Sequence, residues 1–377
     1  MKTNISYCVK CIIPDTRPGI KIYTDGICSA CKSHERKGVE TDWEVRREAF
    51  TTLVSQVKKL NRDYDCVIPV SGGKDSTWQV VKCLEYGLHP LAITWRSPSR
   101  NEVGARNLEN LISLGVDHID FSINPHVEKK FMLVSLVEAG DCAIPMHMAI
   151  FNIPPMMALK MNIPLIIWGE NPAEEYSGQY KDLLGHRLDE KWFKKFGVTQ
   201  GTTALNWESS ELSAEELTPY FGPTDEQLSA GGIKGVFLGY YFDWDPENSL
   251  EMAELNGFER SSKGPKTGFY NYADIDEDFI SIHHYLKWYK FGFTRSYDNL
   301  SLEILNGRLR RDEAVQWLLD RGDETPHEDI VKFCDFVGLT KHEFYEVIEQ
   351  HRNPNIWKIV DNKWMIEGFL IPDWRWI

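Results

Sequence analysis

A short apolar run, Asp65-Cys66-Val67-Ile68-Pro69-Val70, gives way to Ser71-Gly72-Gly73-Lys74-Asp75-Ser76-Thr77, and a helical pattern follows at once over 74–86. No other stretch restricts the fold as strongly. A buried strand that feeds a glycine turn and then a helix aims the free amides of the helix start, with the positive end of its dipole, at the space beyond the strand; that is a phosphate cradle. The glycines allow a tight turn and close backbone approach. Ser71, Ser76 and Thr77 offer hydroxyls, Lys74 a point charge, and Asp75 a carboxylate able to hold a magnesium ion against phosphate oxygens. The spacing differs from the Walker A loop, because no glycine occupies the required place ahead of Gly73-Lys74.

The surrounding chain predicts an α/β domain. Candidate strands at 65–70, 90–95, 117–121, 163–168 and 235–241 alternate with helical patterns such as 43–60, 74–86 and 102–114. Such alternation requires crossover connections and a parallel sheet covered on both faces. Residues 170–230 and 245–275, rich in Gly, Pro, Ser and acids, read as insertions at the sheet edge, with a short helical piece at 187–196. Helical patterns return at 279–291, 311–321, 326–336 and 340–350. The 377 residues therefore divide into a small module over 1–40, a nucleotide-binding α/β domain with insertions over 41–245, and a mainly helical region over 246–377. The most apolar stretch, 143–168, contains Pro145, Pro154, Pro155 and Pro164, which predict a broken interior segment and no membrane span. The polar first ten residues predict no signal peptide and a cytoplasmic location.

Cys8, Cys11, Cys28 and Cys31 form a C-x2-C-x16-C-x2-C pattern. Four thiolates suit a tetrahedral zinc ion, and a closed four-thiolate site leaves no open position for catalysis, so this zinc is structural. The segment between the pairs is too short and polar to fold without such a metal. Fifty-six acids against 42 bases give a net charge of −14, the opposite of what a nucleic-acid binder needs.

The Ser-Gly-Gly-x-Asp-Ser loop after a strand resembles that of the PP-loop ATP pyrophosphatases. Further segments extend the likeness: the four-cysteine module, Ile167-Trp168-Gly169-Glu170-Asn171-Pro172 with Glu175-Tyr176, Ile282-His283-His284-Tyr285-Leu286-Lys287 with Lys290 to Phe293 and Arg295, and Asn306-Gly307-Arg308 leading to Arg311-Asp312-Glu313-Ala314. With these the chain is similar to the N-acetyl sugar amidotransferases of bacterial surface-polysaccharide (lipopolysaccharide O-antigen and nonulosonate) synthesis. The resemblance implies a five-stranded sheet of order 3-2-1-4-5, with a crevice at the carboxyl ends of strands 1 and 4.

It also implies the chemistry. ATP lies on Ser71, Gly72, Gly73, Lys74, Asp75 and Ser76, with Gly169 and Asn171 across the crevice and Thr94 near the adenine; Asp75, Lys74 and Glu170 carry catalysis. The oxygen of an acetamido group on a nucleotide-linked sugar attacks the α-phosphorus, pyrophosphate leaves, ammonia replaces AMP, and an acetamidino group results. Magnesium assists and zinc is structural. The implied partners are a glutaminase subunit and a cyclase-like barrel subunit, with no nucleic acid and no membrane. His147, Tyr176, His284, Lys287 and Arg295 are the substrate-binding candidates, Arg106 and Asn107 are candidates for the rim, and Lys263 and Lys266 form a basic loop able to close over phosphate. The alternative is a tRNA-modifying PP-loop enzyme of the thiolation type. The acidic balance and a single plausible loop thiol, Cys142, argue against it.

Overall fold

Strands β1 (Cys66–Pro69), β2 (Pro90–Trp95), β3 (Asp117–Phe121), β4 (Leu165–Trp168) and β5 (Lys234–Phe237) form one parallel sheet of order β3-β2-β1-β4-β5. The structure is a computed structural model that describes residues 4–176, 192 and 198–376. The order is the one expected, and it reverses between β1 and β4, so the crevice opens there. Successive side chains of β1 enter two different cores. Val67 joins Leu91, Ile93 and Ile166 on one face, while Cys66 and Ile68 join Ala92, Leu165 and Ile167 on the other. Burial on both faces is why β1, β2 and β4 read as continuous apolar runs, whereas the edge strand β3 is half-exposed and carries Asp117, His118 and Asp120.

The helices are α1 (Ser29–Glu40), α2 (Trp43–Lys58), α3 (Lys74–Glu85), α4 (Glu102–Ile112), α5 (Pro125–Ala139), α6 (Ile144–Met161), α7 (Pro246–Leu255), α8 (Ile280–Phe291), α9 (Arg295–Leu305), α10 (Arg311–Arg321), α11 (His327–Val337) and α12 (Lys341–Gln350), with shorter turns between them. Helix α7 packs along α3, directly behind the loop. A hairpin of β6 (Trp357–Val360) and β7 (Lys363–Ile366) follows α12.

Two expectations are corrected. The apolar helical region before Asn162 is the single 18-residue helix α6, not interrupted at its prolines: Pro145 sits in its first turn, and Pro154 and Pro155 lie inside it. Each internal proline removes one helical donor, and the helix survives because its apolar faces are buried in the core that also holds β2, α5 and α8. The fifth strand ends at Phe237, and residues 238–241 turn into a short helix. The helical piece expected at 187–196 lies, apart from Trp192, outside the described residues. No described helix is long and apolar enough to cross a membrane.

Candidate active site

The loop between β1 and α3 has the shape its glycines predict. Gly72 adopts φ +91°, and a Cβ there would come within 2.6 Å of the Leu108 amide nitrogen in α4, so a side chain would push the two segments apart. Gly73 caps α3 without a side chain. Hydrogen bonds from Ser76 Oγ (2.9 Å) and Thr77 Oγ1 (3.1 Å) tie the Gly73 carbonyl back, and Ser71 Oγ accepts from the Gly73 amide at 3.2 Å.

Two cavities meet at this loop. A polar chamber of about 190 Å³ is lined by Ser71, Lys74, Asp75, Glu170, Tyr176 and Arg295, with Trp244, Tyr270, Tyr272, Asp274, Asp276 and Asn299 closing it. A larger chamber of about 400 Å³ runs toward the ends of β2 and β4, with Thr94, His147, Gly169 and an apolar wall from Ile150, Phe151, Trp168 and Phe237. Ser71, Asp75, Ser76, Glu170, Asp274 and Asp276 line both, so the two form one crevice.

The electrostatics turn on Lys74 and Asp75. Lys74 is buried, and its Nζ lies 2.6 and 2.7 Å from the two carboxylate oxygens of Asp75. Trp244 Nε1 donates to the same carboxylate at 2.9 Å. The two residues assigned to phosphate and magnesium therefore hold each other, and a polyphosphate has to exchange with Asp75 for the lysine. The polar chamber sets four carboxyl groups (Asp75, Glu170, Asp274, Asp276) against two cations, Lys74 and Arg295. A polyphosphate bound here would add more negative charge, which a divalent cation would offset, and Asp75 and Glu170 could supply it with oxygen ligands. Burial, then the Asp75 charge, push Glu170 up to about 7. Burial likewise raises Asp276, which approaches Ser71. Asp274 is held well below the usual carboxylate range by Arg295, whose Nε donates to it at 2.9 Å, and by His284.

Of the residues named from the sequence, the crevice brings together Ser71, Gly73, Lys74, Asp75, Ser76, Thr94, His147, Gly169, Glu170, Tyr176 and Arg295. Thr94 Oγ1 is 2.9 Å from His118 Nε2. His147 Nδ1 lies 2.8 Å from the Ala143 carbonyl, which can only accept, so Nδ1 carries the proton. Burial and the neighbouring His283 lower His147 to about 4.

Other candidates sit elsewhere. Asn171 is buried, and its carbonyl oxygen accepts from Trp192 Nε1 at 3.0 Å instead of facing the crevice. His284 and Lys287 stand one layer behind the wall: His284 faces Asp274 at 3.5 Å, and Lys287, lowered to about 8 chiefly by burial, lies 3.9 Å from Asp298. Asn107 and Arg106 bind Glu259 and line neither chamber, and Lys266, of the basic loop, pairs with Asp278 and Asp329. Trp244, Tyr270, Tyr272, Asp274 and Asn299 were not legible in the sequence; the acidic run 274–278 was their only local signal.

The four cysteines do converge. All are buried, and their sulfurs lie within 4.8 Å of one another, with 3.8 Å for Cys8–Cys31 and 3.7 Å for Cys11–Cys28. Zinc–sulfur bonds of about 2.3 Å in a tetrahedron imply sulfur–sulfur edges of about 3.8 Å, so the site fits zinc. Among the described residues no other group of three or more His, Cys, Asp or Glu side chains brings its ligand atoms within 4.8 Å of one another; His283 and His284 turn to different carboxylates, Asp141 and Asp274.

Residues 266–369 match the LPS biosynthesis protein WbpG-like C-terminal domain. That segment supplies Tyr270, Tyr272, Asp274, Asp276, Arg295 and Asn299 to the crevice. The NMN synthetase of Francisella tularensis aligns over 59% of this chain and 90% of its own, at 18% identity and a TM-score of 0.27. No curated protein matches the chain.

Proposed function

We propose that this chain is an ATP-dependent enzyme of lipopolysaccharide biosynthesis that converts an acetamido group of a nucleotide-linked sugar to an acetamidino group, with release of AMP and pyrophosphate. The observation that carries the reading is the facing of the Ser71–Ser76 cradle and Glu170 across one crevice whose far wall comes from the WbpG-like segment.

An amide is a poor electrophile, and its oxygen is a poor leaving group. Attack of that oxygen on the α-phosphorus forms an O-adenylyl imidate and frees pyrophosphate, which stays against the loop amides, Ser71, Ser76 and Lys74. Ammonia then adds to the imidate carbon, and the C–O bond to AMP breaks. A magnesium ion on Asp75 and Glu170 would offset charge on the phosphates. The protein's own task is to align oxygen and phosphorus and to keep water from the imidate, which the walls of Tyr176, Trp244, Tyr270 and Tyr272 serve. Zinc on the four cysteines is structural. A glutaminase subunit, with its cyclase-like barrel partner, is the proposed ammonia source.

The test is mass spectrometry of candidate nucleotide sugars incubated with ATP, magnesium and ammonium. The expected product is lighter by about one mass unit, oxygen replaced by NH, with one AMP and one pyrophosphate formed per product. ATP consumption with no change in any acetamido sugar would refute the reading.

A further inference from the structure

The cysteine module is not a remote appendage. The chain between its two cysteine pairs delivers Arg17 to Asp298 and to the ring of Tyr176, a residue that lines the crevice. Arg17 Nε donates to Asp298 Oδ1 at 2.6 Å, and its guanidinium stands 5.7 Å from the centre of the Tyr176 ring. Arg295, which lines the polar chamber, meets the same two partners: its Nη1 is 3.7 Å from Asp298 Oδ2, and its guanidinium is also 5.7 Å from the Tyr176 ring. Asp298 is 2% exposed. Arg17, Lys287 and Arg295 thus share one buried carboxylate.

The loop that carries Arg17 is pinned at several points. Tyr7 bridges to Pro14 and Ile22 to Cys28, Thr16 Oγ1 donates to the Phe291 carbonyl at 2.6 Å, and Arg311 Nε donates to the Cys11 carbonyl at 3.0 Å. From the following helix, Lys37 reaches Glu175, the neighbour of Tyr176, at 2.8 Å.

We infer that Arg17 is a positioning residue: held in place by the cysteine cluster, it satisfies Asp298 so that Arg295 stays turned toward Asp274 and the crevice. The physical reason is the expense of a buried, unpaired charge. Without Arg17, Oδ1 of the buried Asp298 loses its partner, and the cations left to fill it are Arg295 and Lys287, which stand 3.7 and 3.9 Å from Oδ2; of the two, Arg295 is the one that lines the crevice. Moving that guanidinium withdraws it from the anion chamber. Metal occupancy at the cysteines is thereby linked to anion binding at the crevice. The inference rests on the reading of the crevice as a polyphosphate site and needs nothing about the acceptor sugar.

The experiment is calorimetric titration of the full chain with inorganic pyrophosphate and magnesium, with zinc measured in every sample. Arg17→Ala should retain one zinc per chain and bind pyrophosphate at least tenfold more weakly. Arg295→Ala should weaken binding to a similar degree. The double variant should be no weaker than the poorer single one, because the two act in series. Arg17→Lys should recover part of the loss, and Cys28→Ser, which empties the cluster, should reproduce the Arg17→Ala affinity. Wild-type affinity in Arg17→Ala, additive effects in the double variant, or loss of zinc from Arg17→Ala would each overturn the inference. Failure of the wild-type chain to bind pyrophosphate would overturn the reading of the crevice beneath it.

Discussion

Burial and the neighbouring Asp75 charge raise Glu170 to about 7, so near neutral pH the fold favours its uncharged form. The role proposed for it needs the carboxylate. A carboxyl whose value rises on folding contributes stability that is complete below the unfolded value of about 4.3 and is lost as pH climbs through about 7. Gln in its place stays neutral and escapes this loss. Glu170→Gln should therefore be more stable than wild type at pH 8, by about 1–3 kcal/mol, with the advantage shrinking toward pH 4.5. Its ATP-dependent pyrophosphate release should fall by a factor of about 100 or more. Denaturant melts at the two pH values read the first effect; a stability gap independent of pH would remove Glu170 from the list of groups strained for function.

Between elements, the most demanding contact is that of α4 with the segment 274–278. The Asn101 amide donates to the Asp276 carbonyl at 3.2 Å, Asn101 Nδ2 donates to the Ile275 carbonyl at 2.9 Å, and Arg100 bridges to Glu277. A Cβ on Gly104 would run into the Asp276 carbonyl, a backbone group that cannot swing aside. Asp274 and Asp276 line the crevice, so Gly104→Ala should displace them, lowering kcat/KM about tenfold and stability by about 1–3 kcal/mol. Gly38→Ala, in α1 with open space around it, is the control and should be neutral or slightly stabilising. Equal behaviour of the two variants in melts and in pyrophosphate release would show that the close approach does not hold the segment.

The same scale explains what the sequence did and did not disclose. The sheet was legible because its inner strands β1, β2 and β4 are apolar runs, and the loop because its residue types have a direct phosphate chemistry. Helix α9 is the contrasting case: beside the apolar Tyr297, Leu300 and Leu302 it buries Ser296, Asp298, Asn299, Ser301 and Glu303, polar residues that a sequence reading assigns to the surface. The β6–β7 hairpin was missed although Asp361 and Asn362, at φ +48° and +60°, are residue types that favour such a turn. In the site, Ser71–Ser76 come from local pattern and Glu170 from the family resemblance with the strand order it implies. Trp244, Tyr272 and Asp274 arrive from far along the chain, and only packing brings them to the loop.

For the molecule as a whole, the disposition of sulfur constrains how nitrogen can enter the proposed reaction. All eight cysteines are buried. Four meet in the N-terminal cluster, and burial raises the thiols of Cys66, Cys142 and Cys334, which disfavours the reactive thiolate. Neither chamber of the crevice is lined by a cysteine. The described lining of the crevice thus offers no cysteine thiol as a nucleophile for sulfur transfer or for hydrolysis of glutamine. The purified chain should form the acetamidino product with ammonium and none with glutamine. At fixed total ammonium its rate should rise with pH, because only the uncharged amine attacks. Addition of a glutaminase partner should make glutamine effective and reduce that pH dependence, since ammonia would then arrive already uncharged. Product formed from glutamine by the chain alone, followed by mass spectrometry with 15N-labelled amide, would mean that a nucleophile outside this crevice supplies the nitrogen, and the division of labour argued from the buried thiols would fall.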